Sequence, residues 1–165
     1  MKIAIGIVSL GLMALLLSGC QDGATAPVAK SEVLVEAEPQ GAVGVSEARK
    51  IAKDGGEIVV VGRIGGSEKP FVGGMAAFTI VDPKLAPCPD AEGCPTPWDY
   101  CCDANAVKEN IATIRINDTA GKPLMTGANE LLGVKELATV VVKGTAKRGQ
   151  DGGLSVVAQQ VYVRK

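Results

Sequence analysis

Residues 57–64, EIVVVGRI, are the stretch of the sequence that decides the fold. Isoleucine and valine are branched at Cβ and favour extended backbone, so the run predicts a β-strand. Gly62 interrupts the branched residues at a point where a strand bulges or bends sharply. A strand bent in this way is suited to pair with different neighbours at its two ends. The stretch therefore predicts the curved first strand of a small barrel.

Four further strands are predicted downstream of this one. Residues 111–118 (IATIRIND) alternate most clearly, and the pattern places Ala112, Ile114 and Ile116 on the inward face. Residues 150–153 (QDGG) predict the hairpin turn between the last two strands. Two short helices are also predicted, one over 46–53 behind a Ser46 N-cap and one over 128–137. The other strands are expected at 76–82, 138–147 and 154–164.

Five strands with a helix between the third and fourth follow the order of the OB-fold, a small Greek-key barrel. The helix over 46–53, the following Gly55-Gly56 and the valine-rich strand resemble the periplasmic bacterial OB-fold proteins. The resemblance covers residues 46–165 and implies an all-β class, a five-stranded OB-fold-like barrel with two short helices. The rival is an immunoglobulin-like sandwich, which requires about seven strands.

The N-terminus has the pattern of a secretory signal. Met1-Lys2 precede an uncharged, mostly apolar run over 3–17, which is shorter than the roughly 20 residues that a spanning helix needs. The run ends in Leu17-Ser18-Gly19-Cys20, which resembles the lipobox of bacterial lipoproteins. The resemblance implies cleavage of residues 1–19 and acylation of Cys20, which anchors the protein to a membrane. In a Gram-negative cell, Gln21 resembles the pattern sorted to the outer membrane, facing the periplasm.

Composition limits the function of the folded part. The chain has no histidine, so serine–histidine triads, histidine general bases and imidazole metal ligands are excluded. The formal net charge is −1, which does not favour a nucleic-acid binder. Residues 20–45 lack a regular period and are predicted to form a flexible tether. The folded domain is expected over 46–165.

A cysteine loop over 83–110 interrupts the strand pattern and contains Cys88, Cys94, Cys101 and Cys102. Outside the cytoplasm an even number of close cysteines first indicates disulfides, each worth about 2–3 kcal/mol for loops of this size. The favoured pairing is 88–101 with 94–102, or the crossed alternative. The second interpretation is a metal site, in which four thiolates bind Zn²⁺ or Cu(I). The C-x5-C-x6-C-C spacing argues against it, and no cofactor is part of the first interpretation. Redox activity is the third.

Trp98, Asp99 and Tyr100 lie between the second and third cysteines. Loops on a rigid scaffold often carry binding, and Trp and Tyr are favoured contact residues. The alternative, equally favoured, is that both rings cover the cysteines as a small core.

The first functional hypothesis is a non-enzymatic envelope module that binds an envelope protein or glycan through a disulfide-stabilised loop. The alternatives are an OB-fold oligonucleotide or oligosaccharide binder and a thiolate metal-binding protein. No catalytic set is expected, because no phosphate loop or nucleophile elbow is present, and turn chemistry explains Asp82 and Asp118.

Overall fold

The computed structural model describes residues 30–89 and 93–165. For residues 30 and 31 it describes the backbone alone. The described residues contain a sheet of six strands and short helices around it. The helices are α1 (Lys30–Val33), α2 (Val45–Ile51), α3 (Ala104–Glu109) and α4 (Ala128–Leu132). The strands are β1 (Val43–Gly44), β2 (Glu57–Ile64), β3 (Ala77–Val81), β4 (Ile111–Arg115), β5 (Thr139–Arg148) and β6 (Leu154–Val163).

Strand β2 is the strand that closes the barrel. Its residues 57–63 pair antiparallel with β5, while Arg63 and Ile64 pair antiparallel with β3. Strand β3 continues antiparallel to β4, β4 runs parallel to β6, and β6 returns antiparallel to β5. The closed order β2-β3-β4-β6-β5, with α4 between β4 and β5, is that of the OB-fold-like Greek-key barrel. The predicted fold class is confirmed.

Gly62 allows β2 to approach β3 closely. A Cβ atom at this position would lie 2.7 Å from Cδ1 of Ile80, which is well inside van der Waals contact. The glycine predicted to mark a bend therefore marks a close approach of two walls of the barrel.

The barrel interior is filled by aliphatic side chains and Phe78. Ala112, Ile114 and Ile116 are all buried, as the alternation of this strand predicts. Strand β3 is buried on both faces, because Val81 packs outside the barrel against Tyr100 and Val107. The cysteine loop thus covers one outer face of the barrel with a small core of its own.

Two helix boundaries differ from the prediction. Helix α2 begins at Val45 behind Gly44, so Ser46 is not its N-cap; the Ser46 N–H is bound instead by the Asp82 carboxylate, at 2.8 Å. Helix α4 ends at Leu132, before Gly133. Helix α3, within the cysteine loop, has no counterpart in the predicted elements.

The C-terminal part of the predicted tether is packed on the barrel. Val33 is buried in the main core, and the Val35 N–H donates to the Val161 carbonyl at 2.9 Å. Arg164 forms an ion pair with Glu38. The prediction of a flexible segment over 20–45 is therefore corrected for the residues from Val33 onward.

The signal sequence, Cys20 and the first part of the tether lie outside the described residues. Within the part of the chain that is described, no helix combines the length and apolar character needed to cross a bilayer.

Candidate metal centre

The cysteine loop brings four distant sulfur atoms to one place. Cys88 is held near the later part of the loop because its N–H donates to the Pro97 carbonyl at 3.1 Å. A 3₁₀ turn over Pro97–Asp99 is followed by Tyr100, which has a left-handed backbone (φ 57°), and by a second 3₁₀ turn over Cys101–Asp103. The reversal at Tyr100 turns the adjacent pair Cys101 and Cys102 back toward Cys88.

The side chains of Cys88, Cys94, Cys101 and Cys102 form what we call the thiol cluster. Cys101 Sγ lies 3.6 Å from Cys88 Sγ, 3.7 Å from Cys94 Sγ and 4.0 Å from Cys102 Sγ. Cys102 Sγ lies 3.1 Å from Cys88 Sγ. The structure therefore brings together all four of the cysteines singled out in the sequence.

The sulfur atoms are close, but they are not bonded to one another. A disulfide bond is about 2.05 Å long, whereas the shortest of these separations is 3.1 Å. None of these four cysteines is disulfide-bonded in the structure. The disulfides expected from the sequence stay a prediction, and the geometry shows four separate sulfur donors.

The four cysteines of the thiol cluster differ in their exposure to solvent. Cys88 is buried, Cys94 is partly exposed, and Cys101 and Cys102 are exposed. The cluster therefore opens to solvent on the side of the adjacent pair, where an ion or a small reactant has access.

Asp99 accepts two hydrogen bonds from other residues of the loop. One carboxylate oxygen accepts the Cys101 N–H at 2.8 Å, and the other accepts the Thr96 hydroxyl at 2.8 Å. These two hydrogen bonds, from Thr96 and then Cys101, hold the pKa of Asp99 below its usual value. A carboxylate oxygen of Asp99 and the sulfur atoms of Cys88, Cys94 and Cys101 all lie within 4.8 Å of one another, so Asp99 is a candidate ligand together with these three cysteines.

The thiols differ in acidity because of their hydrogen bonds. The N–H and thiol of Cys102 donate to Cys88 and hold the pKa of the Cys88 thiol below its ordinary value. The pKa of Cys101 is raised to about 12, chiefly by the hydrogen bond it shares with Cys88 and next by those with Cys94 and Asp99. The Cys88 thiol is thus more acidic than the Cys101 thiol.

Four hydrogen bonds join the loop to strand β2 and the residues that follow it. The Gly66 N–H donates to the Trp98 carbonyl at 2.8 Å, and the Trp98 indole N–H donates to the Glu68 carbonyl at 3.0 Å. Arg63, at the end of β2, donates to the Leu85 carbonyl at 3.0 Å and reaches the Tyr100 hydroxyl at 3.5 Å. The thiol cluster is therefore attached to the rigid part of the molecule.

The two aromatic residues of the loop have different positions. Tyr100 is 1% exposed and packs against Val81 and Val107, so its ring belongs to the core of the loop and offers no contact surface. Trp98 is partly exposed. The core alternative thus describes Tyr100, and of the two rings only Trp98 is placed to meet a partner.

The sequence did not reveal the supporting residues Thr96 and Arg63, nor the partner of Asp82. Asp82 is 1% exposed and accepts the N–H groups of Ser46 and Lys84 at 2.8 and 3.0 Å. Burial opposes its ionisation, but these hydrogen bonds outweigh burial and lower its pKa. Asp118 accepts the N–H groups of Ala120 and Lys122, which is the turn chemistry that was predicted.

Phe78, Lys143 and Arg148, which lie on the strands of the barrel, contact other residues of the chain. Phe78 is fully buried and packs against Phe71, with ring centroids 6.1 Å apart. Lys143 pairs with Glu57, and Arg148 donates to the carbonyls of Arg49 and Ala52. These contacts give the three residues a role in stabilising the fold.

No known family model matches this chain, and no curated protein is significantly similar to it. Function is therefore inferred from the geometry of the thiol cluster.

Proposed function

We propose that the protein is a lipid-anchored envelope protein that binds one thiophilic metal ion through the thiol cluster. The observation that supports this proposal is the spacing of the sulfur atoms. Four thiols, three of which are at least partly exposed, lie on a loop fixed to a barrel, and four of their six sulfur–sulfur separations are 3.1–4.0 Å.

The spacing matches tetrahedral coordination. Zn²⁺ binds thiolates at about 2.3 Å, so the six edges of a regular ZnS₄ tetrahedron are about 3.8 Å long. Three of these six edges are 3.6, 3.7 and 4.0 Å, and Cys88 and Cys94 lie within 4.8 Å of each other. The edge between Cys88 and Cys102, at 3.1 Å, has to lengthen when an ion enters. Zn²⁺ is therefore the better geometric match, and Cu(I) shares the preference for sulfur.

The C-x5-C-x6-C-C spacing argues against a metal site because two of the ligands would be adjacent residues. The local backbone nevertheless allows both adjacent cysteines to bind one ion. In a 3₁₀ turn successive side chains are separated by about 120° around the axis. Cys101 and Cys102 lie in such a turn, so their sulfur atoms approach the cluster from different directions. Asp99 holds the Cys101 N–H and positions this ligand.

The lipid anchor is the second part of the proposal. It is supported by the lipobox-like Leu17-Ser18-Gly19-Cys20 behind an uncharged run. Acylation at Cys20 would anchor the barrel at a membrane of the cell envelope. The proposed location is the periplasmic side of the outer membrane. Replacing Cys20 with serine should release the protein from the membrane fraction, whereas Cys94→Ser should leave it there.

The test of metal binding uses the full-length protein, purified in detergent and kept reduced. Dialysis against Zn²⁺ followed by metal analysis should give one zinc ion per chain. Each of the four single Cys→Ser variants should weaken zinc binding at least tenfold, while Asp103→Asn, which changes a carboxylate beside the cluster, should not. A wild-type protein that retains no zinc would rule the proposal out.

The interaction module is a second candidate, and the exposure of Trp98 favours it. Its indole is partly exposed and is fixed by the hydrogen bond to Glu68, so it presents a preorganised surface beside the metal site. Trp98→Ala should abolish capture of an envelope protein or glycan that the wild type retains. Equal capture by both proteins would remove this candidate.

A further inference from the structure

The thiol cluster contains one sulfur pair that is closer than metal coordination requires. Cys88 and Cys102 are separated by 3.1 Å, which is shorter than the tetrahedral edge of about 3.8 Å. If these two cysteines bond, Cys94 and Cys101 are left as a second pair, with their sulfur atoms 3.7 Å apart. The geometry therefore selects one of the three pairings that four cysteines allow.

We propose that the metal-free thiol cluster closes into the disulfides Cys88–Cys102 and Cys94–Cys101, so that oxidation and metal binding exclude each other. This inference rests on the metal site proposed above. The pairing is the crossed alternative left open in the sequence. The neighbouring pair Cys101–Cys102 is disfavoured, because its sulfur atoms, 4.0 Å apart, are farther from each other than those of Cys88–Cys102 or Cys94–Cys101.

The exposure of the two residues sets the order of the reaction. Cys102 is exposed and Cys88 is buried, so an oxidant meets Cys102 first. The oxidant is a small disulfide such as oxidised glutathione. The Cys102 thiolate attacks one sulfur of that disulfide, forming a mixed disulfide and releasing one thiol.

Cys88 then completes the bond. Its thiolate attacks the Cys102 sulfur, the Cys88–Cys102 bond forms, and the second thiol of the oxidant leaves. The two cysteines together lose two electrons and two protons, and the oxidant becomes two thiols. Cys101 and Cys94 close in the same way, with the more exposed Cys101 attacking first.

A bound metal ion slows this reaction because each thiolate shares an electron pair and its negative charge with the metal, which makes the sulfur a weaker nucleophile. Conversely, a sulfur atom in a disulfide is not a thiolate ligand. The oxidation state of the surroundings would thus decide whether the protein carries metal, without any change in the barrel.

Single serine variants report the pairing, because no protease separates the adjacent Cys101 and Cys102. The full-length, reduced and metal-free protein in detergent is treated with oxidised glutathione, and the chain is cleaved between Cys88 and Cys94. In Cys101→Ser the peptide containing Cys88 should be linked to Cys102. In Cys102→Ser the peptide containing Cys94 should be linked to Cys101. The wild type should lose four hydrogens in mass.

The same oxidation is repeated on zinc-loaded wild type and should be at least tenfold slower. If zinc binds to the reduced protein but the variants give the opposite links, or no disulfide forms, the switch is overturned and the metal site stands. If zinc binds and gives no protection, the switch is also overturned. If the reduced protein binds no zinc, both proposals are overturned.

Discussion

The Sγ atoms of Cys88 and Cys102 lie 3.1 Å apart, although one residue is buried at the start of the cysteine loop and the other is exposed near its middle. Cys94 and Cys101 complete a group in which neighbouring sulfur atoms are 3.6–4.0 Å apart. Such proximity of four thiols on a single loop is what thiolate coordination of one ion requires.

Asp99→Asn should weaken zinc binding by about tenfold to a hundredfold while leaving a stoichiometry of one ion. Asp99 fixes Cys101 and Thr96 through hydrogen bonds of 2.8 Å, and loss of such supporting contacts has an effect of this size. Competition with a chromophoric chelator measures the affinity, and Asp103→Asn is the matched control. Complete loss of zinc would make Asp99 a ligand, and an unchanged affinity would deny it any role.

Zinc binding near neutral pH should release protons, including that of Cys101. The pKa of Cys101 is raised to about 12 by hydrogen bonds to Cys88, Cys94 and Asp99, so this thiol is protonated before metal enters. Metal-bound thiolates are deprotonated, hence affinity should fall as the pH falls. Calorimetry in buffers of different ionisation enthalpy measures the release. An observed heat that is the same in all buffers would contradict the prediction.

Gly65→Ala should detach the cysteine loop and weaken zinc binding. A Cβ at Gly65 would lie 2.5 Å from the Trp98 carbonyl oxygen and 3.0 Å from the Tyr100 ring. We expect a destabilisation of about 1–3 kcal/mol from this overpacking. Gly73→Ala is the matched control, because a Cβ there meets nothing within 4 Å. Urea denaturation of both variants gives the comparison, and equal stabilities would refute the proposed docking.

Asp82→Asn should destabilise the fold by about 1–3 kcal/mol at pH 7, since a buried carboxylate that accepts two N–H bonds is lost. The native pKa of Asp82 is lowered, so its contribution is present above the unfolded pKa of about 3.9 and is lost as the pH falls through the native pKa. Denaturation curves of wild type and variant should therefore differ at pH 7 and converge well below pH 4, where the carboxyl is protonated in the native state as well. A constant difference at both pH values would show that ionisation of Asp82 is not involved.

Most of the barrel was accessible from the sequence because its signals are local. The alternation in residues 111–118 indicates a strand with one buried face, and the branched run of 57–64 indicates a strand buried on both faces. Both patterns are visible in consecutive residues. Helix α3 was missed because it lies in a loop dominated by proline and cysteine. The packing of Val33 was missed because its partners are on the distant strand β6.

The candidate site was predictable in its members but not in its arrangement. The cysteines were evident from their number and spacing, yet their convergence depends on the left-handed conformation of Tyr100, which a non-glycine residue rarely adopts. The contacts of Arg63 with Leu85 and Tyr100 span 22 and 37 residues, and no periodicity predicts them. For these reasons the spacing alone argued against a metal site that the geometry supports.

X-ray absorption spectroscopy of the zinc-loaded, full-length protein tests the central claim most directly. The four-thiolate centre predicts a first shell of four sulfur atoms at about 2.3 Å from zinc. The Cys102→Ser variant should show one sulfur atom fewer in this shell. A first shell made of oxygen or nitrogen atoms at about 2.0–2.1 Å would contradict the account.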